Sequence, residues 1–210
     1  MNWPFIAVLF SGWLYIDAAY QGPNWQRWVF RPVTLLLLLL WAWSGDYGLD
    51  ISGYLVCVGL LVAIVSDTIR LVADNKIDLS LYTSAVFYLL YALSFALLNN
   101  FTFYIPLMIA VPVIAIAVLA LLWYKLGDHK VPVLTALLSA LVMGWLAGEQ
   151  FFGLGTDYNF SLMIGAFCLV LNLILWLINR FLFTFKLAKA VYSTFYFLGH
   201  FLIVRAITLM

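Results

Sequence analysis

The sequence predicts an all-α polytopic membrane protein, a bundle of eight transmembrane helices. Three observations carry that reading. Of the 210 residues, 67% are hydrophobic and 9% charged, whereas a soluble domain carries about a quarter charged residues to face water. Apolar runs recur along the whole chain, and about 20 such residues cross the hydrocarbon as a helix. Gly, Pro and charge clusters punctuate the runs at short intervals, so neighbouring helices are expected to be antiparallel. The net charge of +1 leaves no electrostatic footprint for nucleic acid. The bilayer is the expected partner.

The spans are expected at about 3–20, 27–44, 52–70, 79–98, 103–124, 131–152, 159–179 and 189–208. The first, opening "MNWPFIAVLF", has neither a basic n-region nor an A-x-A site and reads as a retained span. The second is constrained by length. Pro32 to Trp43 is only twelve residues, too few to cross about 30 Å at 1.5 Å per residue. It must begin nearer Trp28, which brings Arg31 inside the membrane boundary. The third run, Ile51 to Val65, is free of charge and closes on Ser66-Asp67, with Arg70 three residues later. The fourth carries Tyr88 and Tyr91 one turn apart, an arrangement that is usually core. The fifth and sixth flank "KLGDHKVP", where His129 is expected as a solvated loop residue. The seventh holds Asn172 in "LVLNLILW", and the eighth holds His200 about midway in "FLGHFLIV". Cys57 and Cys168 sit in apolar runs as small core residues, with no metal-binding or disulfide spacing. Trp3, Trp25, Trp28, Trp41 and Trp43 lie near span ends, as an interfacial belt requires. No internal repeat or long linker divides the chain, so residues 1–210 are expected to form one domain.

Lys and Arg set the orientation. Arg27, Arg31, Arg70, Lys76, Lys125, Lys130, Arg180, Lys186 and Lys189 fall on the connections after the first, third, fifth and seventh spans, or on their flanks. Arg205 alone lies opposite. The positive-inside rule then puts both termini on the non-cytosolic face of the inner membrane.

With depth fixed, Asp17, Arg31 and Asp67 come to one level on three consecutive helices. Ionisable groups inside a span usually face the bundle interior and pair. Two arrangements are open: the three converge, or Asp67 pairs with Arg70 on its own helix while Asp17 snorkels. Glu149 and Arg205 match in depth near the opposite end and are expected to form a structural ion pair. His200 is either a hydrogen-bonded packing residue or a proton carrier. Asn172 reads as interhelical glue. Soluble-enzyme motifs such as the P-loop, G-x-S-x-G and H-E-x-x-H are absent from the sequence.

The segments "WVFRPVTLLLLLL", "VSDTIRL", "YLLYAL" and "LGHFLIVR" occur in that order over essentially the whole chain. They resemble the YhhN family, bacterial relatives of the animal lysoplasmalogenases (transmembrane protein 86). The family pattern has Lys-Pro at Arg31-Pro32, Gly-Asp at Ser66-Asp67, His at Tyr88, Asp at Asn172 and Gln at His200, and it matches at Tyr91. The resemblance implies hydrolysis of the vinyl-ether bond of lysoplasmalogens, a lysophospholipid substrate, to a fatty aldehyde and a glycerophospho-amine. The departures at Tyr88, Asn172 and His200 bear on substrate and activity. That chemistry needs a proton on carbon and then water on an oxocarbenium ion, with no obligatory metal, cofactor or covalent nucleophile. Given the resemblance, Asp17 and Asp67 are the expected acid–base pair. Arg31 would hold one of them ionised or bind the lipid phosphate. Tyr88, Tyr91, Asn172 and His200 would line the same site. A lipid or small-solute carrier with a coupled proton site is the alternative. The sequence leaves the oligomeric state and the head group open.

Overall fold

A computed structural model describes residues 3–20, 24–43, 50–72, 76–97 and 103–208. Among them run eight α-helices: α1 (Trp3–Tyr20), α2 (Asn24–Trp43), α3 (Ile51–Val72), α4 (Ile77–Leu97), α5 (Ile105–Leu122), α6 (Lys130–Leu154), α7 (Asp157–Phe181) and α8 (Ala188–Thr208). The expected helix ends at residues 44 and 98 lie outside the described residues. Six helices, α3 to α8, are long and apolar enough to cross a membrane. α1 and α2 carry shorter apolar stretches, Ile6–Ala18 and Trp28–Trp43, and in α2 polar residues occupy the first turns.

Neighbour packing closes a ring. α1 packs on α2, α2 on α3, α3 on α4, α4 on α6, α6 on α7, α7 on α8, and α8 returns to α1 and α2. α5 stands outside, mainly against α6. It is the most apolar of the six long spans and the least buried. Ile105, Ile109, Val113 and Ile116 are exposed on it, a surface suited to lipid tails.

Small and hydroxylated side chains set the close approaches, as expected where lipid removes most of the hydrophobic drive between helices. A Cβ on Gly165 would lie 2.9 Å from the Gly199 carbonyl oxygen, and one on Gly199 2.7 Å from Leu169 Cγ. α7 and α8 therefore meet backbone to backbone. Between α3 and α4, Ser66 and Ser84 share a 2.8 Å hydrogen bond, and Ser94 donates to the Ser52 carbonyl at 2.8 Å. α2 runs through Pro32, whose missing N–H deprives the Trp28 carbonyl of its helical partner. Just beyond this break the Thr34 hydroxyl bonds back to the Phe30 carbonyl at 2.7 Å, and its 2.6 Å bond with Ser11 ties α2 to α1.

Cys57 and Cys168 are free and buried. Trp25, Trp28 and Trp43 are exposed, while Trp41 stacks on Phe201 at 5.3 Å. The Trp3 and Arg27 side chains lie outside the described residues. Two expectations are corrected. Glu149 and Arg205 do not pair. The buried Glu149 carboxylate accepts the Tyr104 N–H (2.8 Å) and Trp145 Nε1–H (3.1 Å), whereas Arg205 donates to Ser161 Oγ at 3.3 Å. Equal depth placed them on one level but on different faces. His129 is not simply solvated either: its Nδ1 lies 2.5 Å from Asp78 Oδ1, tying the turn before α6 to the start of α4.

Candidate functional site: a buried ion pair among tyrosines

Arg31 on α2 and Asp67 on α3 meet at 2.8 Å with side chains 4% and 3% exposed. Each charge would be costly to bury alone, and the contact neutralises both. Arg31 Nη1 also donates to the Tyr15 hydroxyl at 3.0 Å. Its guanidinium carbon lies 4.9 Å from the Tyr196 ring centroid and 5.4 Å from that of Tyr15, so aromatic faces replace part of the lost hydration. The alternative in which Asp67 pairs within α3 is not what forms. Arg70 turns to α4 instead, donating to Ser80 Oγ (3.1 Å) and Ser84 Oγ (3.3 Å), and lies 4.3 Å from the Trp176 ring of α7.

Asp17 is the residue the structure leaves out. It is exposed, and among the described residues it makes no ion pair with Arg31. The reason is angular. At about 100° per residue, positions 15 and 17 of one helix point about 200° apart. Tyr15 faces inward to Arg31, so Asp17 must face out. The expected carboxylate pair does not exist as a pair.

The other four expected residues, Tyr88, Tyr91, Asn172 and His200, are all buried. The Tyr91 hydroxyl and His200 Nδ1 share a 2.8 Å hydrogen bond. Tyr196 stands one helical turn from His200 on α8, and their ring centroids are 4.5 Å apart at 81°. Tyr196 is thus flanked by His200 and the Arg31 guanidinium. Tyr88 lies beside Asn172 and within electrostatic reach of Arg70 and Asp67. Measured at 1.5 Å per residue from the helix ends where the basic connections lie, the group climbs from roughly 8 Å at Asp67 to roughly 21 Å at Tyr91.

Buried polar atoms nearly always have partners, yet several here have none. Asp67 Oδ2, Arg31 Nε, Asn172 Oδ1, Ser193 Oγ and His200 Nε2 are buried without hydrogen bonds. The Tyr196 hydroxyl approaches Asp67 but completes no hydrogen bond. Two orphans belong to a charged pair and one to an imidazole, a set able to orient a polar ligand and move a proton. Tyr15, Ser193 and Tyr196 are members that sequence reasoning missed, and Arg70 entered it only as a partner for Asp67. Of the three missed, Tyr196 carried a signal, its four-residue spacing from His200, which puts both on one helix face. No three of His, Cys, Asp and Glu gather into a metal-binding group among the described residues.

Beside this cluster, α1 and α8 bound an apolar groove of about 360 Å³, lined by Val8, Gly12, Ile16, Thr194, Phe197 and Phe201 among others. Phe197 separates groove from cluster. Its ring lies 5.6 Å from Tyr15 and 5.6 Å from Tyr196.

The YhhN family profile matches residues 26–207. Similar full-length relatives are the proteins named "Uncharacterized membrane protein YhhN" of Escherichia coli O6:H1, Escherichia coli O157:H7 and Shigella flexneri. Each is 39% identical over 209 residues, covering 100% of both chains. No solved structure matches the chain. The profile reaches from α2 to α8 and takes in every residue of the cluster except Tyr15, and with relatives of this identity it shows that the chain belongs to the YhhN family.

Proposed function

We propose that this chain is a membrane-embedded hydrolase of the lysoplasmalogenase type, cleaving the vinyl-ether bond of a single-chain glycerophospholipid to a fatty aldehyde and a glycerophospho-amine. The observation that carries the reading is the Arg31–Asp67 pair, buried within the bundle with Asp67 Oδ2 unbonded. A carboxylate with a free oxygen suits the oxocarbenium ion through which vinyl ethers hydrolyse, because it stabilises developing positive charge where water is scarce. The pairing offsets a desolvation cost that either charge alone would leave uncompensated. The groove between α1 and α8 would take the alkyl chain, with its apolar wall next to Tyr15 and Phe197. Tyr88, Tyr91 and Asn172 would line the polar side. With nine of ten Lys and Arg residues on one side, that side faces the cytosol, both termini face outward, and substrate enters from the inner leaflet of the cytoplasmic membrane.

The test uses purified protein and a lysoplasmalogen in mixed micelles, with release of fatty aldehyde as the readout. Asp67→Asn should abolish release. Because that change strands a buried guanidinium, the double variant Arg31→Gln/Asp67→Asn serves as the folded control and should be equally inactive. Saturable lipid binding without aldehyde would instead identify a carrier, and turnover by the double variant would remove the site.

A further inference from the structure

Two arginines share this end of the bundle with a single buried carboxylate. Arg31 is committed to Asp67 at 2.8 Å. Arg70, three residues after Asp67 on α3, pairs with no carboxylate among the described residues. Asp78 on α4 is held by His129, Asp17 is turned outward, and Asp74 lies outside the described residues. With His200 uncharged, the cluster thus sets Arg31 and Arg70 against Asp67 alone, within electrostatic reach of one another. A surplus cation in an apolar setting is costly until an anion joins it. Arg70 is also held in a fixed pose. Its Nε donates to Ser80 Oγ at 3.1 Å and its Nη2 to Ser84 Oγ at 3.3 Å, while its guanidinium carbon lies 4.3 Å from the Trp176 ring centroid. Both acceptors are neutral, so α4 and α7 orient the guanidinium without discharging it. No described residue accepts a hydrogen bond from Nη1. A planar fork fixed on one edge and open at the other end suits a phosphate oxygen.

We propose that Arg70 is the head-group subsite of this protein, binding the phosphodiester of a single-chain glycerophospholipid whose ether end lies beside Asp67. The proposal rests on the lysolipid reading given above, and it gives the two arginines separate tasks. Arg31 holds Asp67, and Arg70 holds the substrate. Depth fits this division. At 1.5 Å per residue Arg70 lies roughly 3 Å inside the end of α3 and Asp67 roughly 8 Å. Residues three apart on a helix are neighbours on its surface. Basic pockets between helices at this level are where membrane proteins take up phosphate head groups. In such a lipid the glycerol backbone alone separates phosphate from ether oxygen, so a head group on Arg70 brings the ether to the level of the unbonded Asp67 Oδ2. Tyr192 on α8 lies within electrostatic reach of Arg70, Arg31 and Tyr15, which carries the path from the head group toward the α1–α8 groove.

The experiment measures equilibrium binding to the full chain in phosphate-free maltoside micelles. The ligands are the saturated alkyl-ether lysophospholipid, which cannot be cleaved, and the matching alkylglycerol, which lacks the phosphate. The parent should prefer the phospholipid. Arg70→Gln should weaken phospholipid binding by about 10–100-fold, the worth of charge-assisted hydrogen bonds to an anion, and change alkylglycerol binding by less than about threefold. Arg70→Lys, which keeps the charge and loses the fork, should fall between the two. Lys76→Gln removes an exposed cation on the same side and should change phospholipid binding by no more than about twofold. A parent that binds both ligands alike, or an Arg70→Gln chain that loses both alike, overturns the subsite and leaves the hydrolase reading standing. A gain of about tenfold in Asp74→Asn would identify Asp74 as the partner of Arg70 and overturn it too. Displacement of the lipid by inorganic phosphate at equal concentration would assign Arg70 to a soluble anion instead. A parent that selects the phospholipid through Arg70, yet releases no aldehyde from the vinyl-ether form, removes the hydrolase reading and leaves the subsite in place.

Discussion

The Arg31–Asp67 pair can be tested by stability alone, independently of any activity. Both side chains are almost fully buried and meet at 2.8 Å, so screening by solvent does not discount the interaction. Removing one partner leaves the other charge buried and uncompensated, which costs about 3–5 kcal/mol. Asp67→Asn keeps the shape and loses the charge, and Arg31→Met keeps most of the volume. Each should therefore destabilise the chain by about 3–5 kcal/mol, or a large part of a typical stability. The double variant Arg31→Met/Asp67→Leu removes both desolvation penalties and should lie within about 1 kcal/mol of the parent, because an apolar pair of similar volume commonly replaces a buried ion pair at little cost. The Tyr15 hydroxyl loses its donor in that variant, a loss of about 1 kcal/mol at most. The measurement is reversible unfolding in mixed micelles with increasing denaturing detergent, followed by tryptophan fluorescence and helical circular dichroism. Single variants costing less than about 1 kcal/mol, or a double as unstable as the two singles summed, would refute the reasoning.

Further outcomes follow from neighbouring geometry. Asp17→Asn should leave both stability and aldehyde release within about twofold of the parent, since Asp17 is exposed and apart from the cluster; turnover lost in a folded Asp17→Asn would restore it to the site. Gly199→Ala should destabilise by about 2 kcal/mol, because its Cβ would sit 2.7 Å from Leu169 Cγ and 2.9 Å from the Gly165 carbonyl oxygen; unfolding in the same detergent titration reads it. Arg205→Ala, which gives up a 3.3 Å hydrogen bond from an exposed side chain, should shift that titration by no more than about 0.5 kcal/mol.

Much of the fold was legible because membrane spans are set by a length that composition reports directly. Each observed helix begins and ends within three residues of its expected bounds wherever those bounds are described. The Pro32 argument required the second helix to begin before Pro32, and Arg31 does lie within it. Twelve residues could not form a span, so the helix had to start earlier, and it starts at Asn24. The seat of α5 outside the ring was not legible. An apolar run reads the same whether it faces lipid or a neighbouring helix, since both are apolar.

The site was legible in depth and illegible in azimuth. Counting residues from span ends brought Arg31, Asp67, Tyr88, Asn172 and His200 to neighbouring levels, and all five are buried. Counting could not tell which way a side chain points, because the spacing of apolar residues marks the inward face of a helix only where the outward face is polar. In a lipid-facing helix both faces are apolar. Asp17 and Tyr15 show what is lost: two residues apart on α1, they were separable only by the contact Tyr15 makes with Arg31. Glu149 and Arg205 failed in the same way, level in height and turned to different helices. Spacing within one helix does preserve azimuth, and where it was available it holds. Tyr196 and His200, four apart on α8, do share a face, and their rings touch. The buried tyrosines are therefore more than core filling. A membrane interior offers few neutral groups that can both pack against hydrocarbon and satisfy a charge. Tyr15 and Tyr196 do this for Arg31 while Tyr91 does it for His200, which lets three ionisable groups share one apolar bundle at mutually compatible orientations.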